Sequence, residues 1–341
     1  MAVAQTGLGD LTAVLEPVAS DMERLEKRLA SNLIDDNPFI DELLAQVFRA
    51  GGKRIRPGLA LLCHRATYKE GNLNANANPN DAHITLAALT ELIHTASLVH
   101  DDVIDHADTR RGQQTVHHKW NEKIAVLLGD LLFAQASICL AQLQSPEIVG
   151  IYGRVLGDLC AGEIRQLRQQ YQLELSWDDY IHKSYCKTAS LFSAGCKSAA
   201  ILNDCPNEVI QQLAEYGKNL GICFQIIDDL LDVIGSSDAM GKETGGDLAQ
   251  GIITAPVLAV LQRKDTAADK LAGLISTREV NSPQGLAEAL DLVRRCDGVE
   301  STHALCRKYA AAAKDNLKVL NSSPYRDSLH GAIEYLLHRV S

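Results

Sequence analysis

Six aspartates fall into two clusters of identical spacing, Asp101-Asp102-Val103-Ile104-Asp105 and Asp228-Asp229-Leu230-Leu231-Asp232. On a helix, positions i and i+4 share a face, so Asp101 stacks beside Asp105 and Asp228 beside Asp232. The aspartates at i+1, Asp102 and Asp229, lie about 100° round and can act as auxiliary ligands. Like charges at this spacing destabilise a bare helix. Each cluster directly follows an apolar stretch, HTASLV in one case and FQII in the other. Two solvated acidic patches account poorly for that repetition, whereas a bound cation offsets the repulsion. The donors are all oxygen and no histidine shares the spacing, which favours hard Mg2+ over zinc or iron. Carboxylates on two helices can grip two or three Mg2+ ions whose remaining coordination goes to a diphosphate.

Basic residues strengthen the phosphate reading. Gly51-Gly52-Lys53-Arg54-Ile55-Arg56-Pro57 puts two glycines before a cationic turn at an expected helix start. Glycine permits close backbone approach, helix N–H groups favour an anion, and Lys53 and Arg56 can reach phosphate oxygens. Neither a Walker A loop nor a GxGxxG fingerprint is present. Arg110-Arg111-Gly112 follows the first acidic cluster, just past the expected helix end. Lys187-Thr188 sits within a helical stretch of Cys, Ala and Ser, where an unpaired lysine is costly. Lys242 lies in MGKETGGDLAQG after the second cluster. Gln225 shares a face with Asp228, and His94 shares one with Asp101. A competing pattern, ExxH at Glu91–His94 and Glu300–His303, could build a di-iron bundle, but two fixed positions in four recur by chance.

The elements that must hold these residues are helical almost throughout. Of 341 residues, 46% are hydrophobic and only 5% aromatic, so the core is mostly Leu, Ala, Ile and Val and wholesale disorder is excluded. Three- and four-residue apolar spacing predicts helices over roughly 83–105, 122–143, 146–171, 177–201, 207–235, 252–264, 284–296, 302–320 and 327–339, with further ones near the N-terminus and after Pro57. Strand signals are thin. The Asn-rich segment 70–81 reads as a surface loop and the first ten or so residues as a loose end. No linker separates two compositions. One all-α domain over 1–341 is expected, a single large bundle. A net charge of −10 argues against a nucleic-acid binder. Nine cysteines without a CxxC read as buried free thiols of a reducing compartment.

The motifs GGKRIRP, LVHDDVIDHADTRRG, KTASLF, FQIIDDLLDVIG and GKETGGDLAQGIITAPV stand in this order, and in them the chain resembles the trans-isoprenyl (polyprenyl) diphosphate synthase family from about residue 10 to the end. The resemblance implies the isoprenoid synthase fold, helices around a central cavity, and a prenyltransferase that condenses an allylic diphosphate with isopentenyl diphosphate. It implies Mg2+ on Asp101 and Asp105, with Asp102 close by, and on Asp228, with Asp229 and Asp232 in support. Isopentenyl diphosphate would lie on Lys53, Arg56, His94 and Arg111. The allylic diphosphate, farnesyl or geranylgeranyl, would meet Arg110, Lys187, Thr188, Gln225 and Lys242. Asp101, Asp102, Asp105, Arg110, Lys187, Asp228 and Lys242 would then carry catalysis, in a homodimer.

Product length is read from the first-motif helix. Ala96 and Ser97, five and four positions before Asp101, are small where relatives stopping at fifteen or twenty carbons carry bulk. A product beyond C20 is expected. The N-terminal LTAVLEPVASDMERLEKRL is most similar to cyanobacterial and plastid solanesyl synthases, which implies about C45, the plastoquinone side chain; a C20 product is the alternative. A class I terpene cyclase would lack GGKRIRP and the second DDxxD, and a non-catalytic partner subunit would have lost one acidic motif. The N-terminus lacks the pattern of a secretory signal, and no unbroken apolar run approaches about 18 residues. A cytoplasmic enzyme is expected, with peripheral membrane contact left open for product release.

Overall fold

The computed structural model describes residues 10–31, 37–49, 52–68, 81–235 and 244–340. The principal helices are α1 (Ala19–Ser31), α2 (Pro38–Arg49), α3 (Ile55–Thr67), α4 (Ala82–Ile104), α5 (Glu122–Gln142), α6 (Pro146–Gln169), α7 (Trp177–Ser184), α8 (Ser190–Leu202), α9 (Asn207–Ile234), α10 (Ala255–Leu261), α11 (Thr266–Ser276), α12 (Pro283–Arg295), α13 (Gly298–Asn316) and α14 (Pro324–His338). The expectation of an all-α protein holds. α2 and α11 are helices that the apolar spacing did not single out. The loop expected at 70–81 and the loose N-terminal end fall, but for Asp10 and Asp81, outside the described residues.

Local chemistry sets the helix starts. The Asn121 side chain accepts from the Ile124 amide at 3.0 Å and opens α5. A reciprocal pair opens α7, with Asp179 N–H donating to Ser176 Oγ and Ser176 N–H to the Asp179 carboxylate, both at 3.1 Å. Each such cap satisfies amides that the first helical turn leaves without partners. Between α7 and α8, residues Tyr185–Ala189 form a π-helical turn, a local widening that often marks functional segments.

Among the described residues, one strand pair departs from the helical pattern. β1 (Thr109–Arg110) and β2 (Gln113–Gln114) pair antiparallel around Arg111-Gly112. Both turn residues have positive φ, 52° and 74°, as a two-residue hairpin of this hand requires. Glycine adopts that conformation without strain; Arg111 does not. The arginine pair expected just past a helix end is therefore presented on a hairpin.

The chain groups into two compact units, each drawn from three separate stretches. The first comprises residues up to 154, 191–217 and 316–332. The second comprises 155–190, 218–315 and 333 onward. In the first, α4 is the central helix, packed against α1, α3 and α5, with Leu86, Leu89, Leu92, Ile93 and Ala96 sealed from solvent. In the second, Cys223, Ile226, Ile227 and Leu230 of α9 and Leu271 and Ile275 of α11 belong to the buried core. Burial of such side chains is the main stabilising term, about 1.5–3 kcal/mol each.

Among the described residues, two helices, α4 and α5, are long and apolar enough to cross a membrane by length and composition, although neither is an unbroken apolar run. In α4, 78% of the apolar window is buried, as in a core helix; in α5 only 33% is. The exposed remainder includes Val126, Leu127 and Ile138. All nine cysteines are free thiols, six of them buried; Cys160 is exposed.

Candidate active site

The first acidic motif occupies the last turn of α4, where Asp105 caps the helix and its amide donates to the Asp101 carbonyl at 2.8 Å. Carboxylates at a helix C-terminus oppose the macrodipole as well as one another. The three aspartates have different surroundings. Asp102 is buried and accepts from Arg110 Nε at 2.6 Å. Burial pushes its carboxyl above the usual range, with Arg110 acting in the opposite direction. Asp101 and Asp105 share the neighbouring face of the helix and are more exposed.

Three arginines of the first unit, Arg54, Arg110 and Arg111, line one cavity together with Glu91, His94 and Asp102. Arg56 donates from Nη1 to His94 Nε2 at 3.1 Å and lies over the Phe192 ring at 4.7 Å. An arginine can only donate, so this nitrogen of His94 carries no proton. Burial, reinforced by Arg56 and Arg111, lowers the His94 pKa well below its ordinary value. Lys53 is exposed beside this cavity's loop, and Gly52 is where the loop meets the hairpin. A Cβ added there would lie 2.8 Å from Arg111 Nη1. The two glycine-flanked basic motifs thus touch through a position that has no side chain.

Arg54, which lies between the two expected phosphate contacts Lys53 and Arg56, has a separate task. It caps α3 in a left-handed conformation, φ 46°. Its guanidinium pairs with Glu26 at 2.8 Å and with the buried Glu91. Burial raises the Glu91 pKa even against this pairing. The ExxH residues are engaged elsewhere: Glu91 pairs with Arg54, His94 accepts from Arg56, and Glu300 pairs with Arg307 at 2.8 Å.

The second unit carries the other acidic motif on α9. Asp228 pairs with Arg339 at 3.0 Å. Asp229 is buried, its Oδ1 accepting from Gln225 Nε2 at 2.9 Å, its Oδ2 from the Tyr180 hydroxyl at 2.7 Å and the Ala255 amide at 3.2 Å. Asp232 accepts from the Gly246 amide at 3.1 Å. Burial and the neighbouring Asp247 charge push the Asp232 carboxyl up to about 7. Lys187, in the π-helical turn, pairs with Glu163 at 3.2 Å, which relieves the cost that its Cys-, Ala- and Ser-rich surroundings imply for an unpaired lysine. The Thr188 hydroxyl donates to Gln225 Oε1 at 2.7 Å. Lys242 lies outside the described residues. Tyr180, Lys183 and Arg339 surround this motif without any spacing signal in the sequence; folding alone brings them there.

Among the described residues, no group of three or more His, Cys, Asp or Glu converges as a metal cage.

A model of the polyprenyl synthetase family matches residues 37–293. The chain belongs to that family. As a polyprenyl synthetase it is a prenyltransferase, joining an allylic diphosphate to isopentenyl diphosphate to build a long polyprenyl diphosphate. It is 40% identical over 330 residues to a chloroplastic solanesyl diphosphate synthase of Arabidopsis thaliana, covering 97% of this chain and 77% of that one. Among solved structures, the decaprenyl diphosphate synthase of Rhodobacter capsulatus is 31% identical with a TM-score of 0.89, over 97% of this chain and all of that one. The polyprenyl synthase of Caulobacter crescentus, crystallised with calcium and isoprenyl diphosphate, is 29% identical with the same TM-score, over 98% and 99% of the two chains. The fold is the all-α isoprenoid synthase fold of these relatives. The expected cytoplasmic location is corrected by the Arabidopsis relative, a chloroplast protein. Acidic charge and free buried thiols are compatible with any reducing compartment and could not distinguish the two.

Proposed function

We propose that this polyprenyl synthetase is a Mg2+-dependent homodimer that extends farnesyl or geranylgeranyl diphosphate to an all-trans product of about C45, the solanesyl chain. The observation that carries the length assignment is the small pair Ala96-Ser97 on α4, one turn before the first acidic motif. Neither position carries a side chain of phenylalanine size. The similarity to a solanesyl diphosphate synthase over nearly the whole length supports the same reading.

In this reading Asp101 and Asp105 on α4, and Asp228 and Asp232 on α9, hold two or three Mg2+ ions. Bound Mg2+ supplies Lewis acidity that stabilises charge on a departing diphosphate. Lys53, Arg56 and Arg111 grip the diphosphate of isopentenyl diphosphate, with His94 kept neutral and oriented by Arg56. Arg110, Lys187 and Lys242, by the family resemblance, would add to the stabilisation of the allylic leaving group. Holding the two substrates together lowers the entropic barrier to carbon–carbon bond formation. No covalent nucleophile takes part.

The dimer reading rests on α5. Leu127 is 62% exposed, Ile138 50% and Val126 43%, a stripe that an isologous contact would cover. Its polar face holds few basic residues, which disfavours a helix built to lie on an anionic membrane. Light scattering after gel filtration tests the stoichiometry, and a monomer would refute it.

Incubation with geranylgeranyl diphosphate, labelled isopentenyl diphosphate and Mg2+, followed by chromatographic sizing, is expected to give a ladder ending near C45. A ladder that ends at C20 overturns the assignment. Ala96→Phe is expected to shorten the products; because Ala96 is fully buried, it also costs roughly 1–3 kcal/mol of stability through overpacking. Gly52→Ala tests the cation cavity. The new methyl displaces Arg111, and KM for isopentenyl diphosphate is expected to rise about tenfold with kcat nearly unchanged, the signature of one lost charge-assisted contact. An unaltered KM would remove Arg111 from that role.

A further inference from the structure

Asp229 is 3% exposed, and both of its oxygens are taken by protein donors. The Gln225 amide donates to Oδ1, and the Tyr180 hydroxyl and Ala255 amide donate to Oδ2. Gln225 in turn accepts from Thr188 through its carbonyl oxygen. The result is a closed circuit between two chain segments. Tyr180 and Thr188 supply one side, Gln225 and Asp229, one turn apart on α9, the other. The donor–acceptor order runs one way only. A hydroxyl donating to the Gln225 carbonyl leaves its NH2 to face Asp229, so the carboxylate accepts on every side.

The geometry of the first segment explains the π-helical turn. Eight residues of regular α-helix would leave Tyr180 and Thr188 about 80° apart around the axis. The turn at Tyr185–Ala189 is wider and reduces that offset, so both hydroxyls reach α9. Lys187 precedes Thr188 within the same turn. The circuit therefore registers Lys187 against the acidic motif. Lys183, on α7, donates to the Ile253 carbonyl at 3.3 Å and secures the strand of chain that carries Ala255.

We propose that Tyr180 is a positioning residue for the second acidic motif: its hydroxyl, with Gln225 and the Ala255 amide, turns Asp229 inward as a fixed anchor, so that Asp228 and Asp232 present themselves to the metal–diphosphate complex. A phenol suits this task because it occupies an oxygen without adding positive charge, leaving the motif's negative charge to attract cations. Asp229 then acts as a keystone and not as a metal ligand. The inference rests on the proposed metal role of this motif, and the test separates the two.

The full-length enzyme carrying Tyr180→Phe keeps the ring and loses only the hydroxyl. Binding of Mn2+ in the presence of inorganic diphosphate, followed by the electron paramagnetic resonance of free Mn2+, is expected to weaken about tenfold at one class of site. The Mg2+ concentration for half-maximal activity should shift by a similar factor, with KM for isopentenyl diphosphate unchanged. Thr188→Val cuts the circuit at its other end; titrated with Mn2+ alone, so that the contact expected between Thr188 and diphosphate does not enter, it should likewise weaken Mn2+ binding, which decides the matter if Tyr180→Phe folds poorly. Mn2+ isotherms like that of the unsubstituted enzyme overturn the proposal, whatever happens to the melting temperature. Asp228→Asn is the control. If it too binds Mn2+ and diphosphate undiminished, the metal reading of the motif fails; if it binds weakly while the two circuit variants do not, only the role of Tyr180 fails.

Discussion

Asp101→Asn is expected to lower kcat by roughly 10²–10³ while leaving the protein at least as stable as before. The two effects have one origin. Asp101 lies in the last turn of α4 with Asp105 one turn on, where each carboxylate repels the other and both oppose the helix dipole. Neutralising one relieves about 0.2–0.5 kcal/mol of repulsion. The same charge, in the proposed mechanism, binds the cation that draws electrons toward the leaving diphosphate, and its loss is felt fully in the transition state. Initial rates of labelled isopentenyl incorporation and a thermal melt measure both quantities. Asp102→Asn should behave differently, because Asp102 is buried against Arg110: its replacement weakens a structural pair and the melt should fall. Turnover of Asp101→Asn within threefold of the parent enzyme would remove Asp101 from the metal set.

Arg54→Met is expected to cost about 3–5 kcal/mol of stability, the largest single-residue effect on folding anticipated here. Arg54 and Glu91 are 10% and 6% exposed at their side chains, and removing the arginine leaves a carboxylate with a hydrogen-bond partner missing and little access to water. The loss depends on pH in a defined direction. Burial already raises the Glu91 pKa, and without Arg54 it rises further. A carboxyl with a raised folded pKa destabilises the fold fully when pH is above that value, where it is ionised, and the penalty fades as pH falls from there toward the unfolded value. Urea denaturation should therefore show a larger deficit at pH 8 than at pH 5. Arg54→Met with Glu91→Leu should recover most of the loss, since replacing both partners by apolar groups removes the stranded charge. A single variant as stable as the parent at pH 8 would show that the pair does not hold the loop.

The arginine illustrates how far the sequence could be read. GGKRIRP announces a cationic turn, and the assignment of Lys53 and Arg56 to phosphate needs only their position at a helix start. Nothing in the string separates Arg54 from its neighbours. Its burial depends on a left-handed residue at the cap and on Glu91 arriving from a different helix. Residues 109–114 show the same limit. An Arg-Gly turn lacks the Asn-Gly or Asp-Gly signature by which two-residue hairpins are recognised, so the hairpin that presents Arg110 and Arg111 went unseen. α2 and α11 were passed over because a three-turn amphipathic helix has few apolar repeats by which to distinguish itself.

The two acidic motifs were legible because their information is local. A helix repeats every 3.6 residues, so spacing along the chain is already geometry, and a pair of carboxylates at i and i+4 states a face, a charge and a preferred cation without any knowledge of the fold. The helical class is legible in the apolar periodicity, and the family and its reaction in the resemblance carried by five motifs in their order. Which aspartate of each motif does what did not follow, because that depends on groups far away in sequence. Arg110 claims Asp102, while Tyr180, Gln225 and the Ala255 amide claim Asp229. A hydrogen bond requires donors within about 3 Å, a distance that only the folded chain sets, and so the division between anchoring and metal-facing carboxylates belongs to tertiary structure.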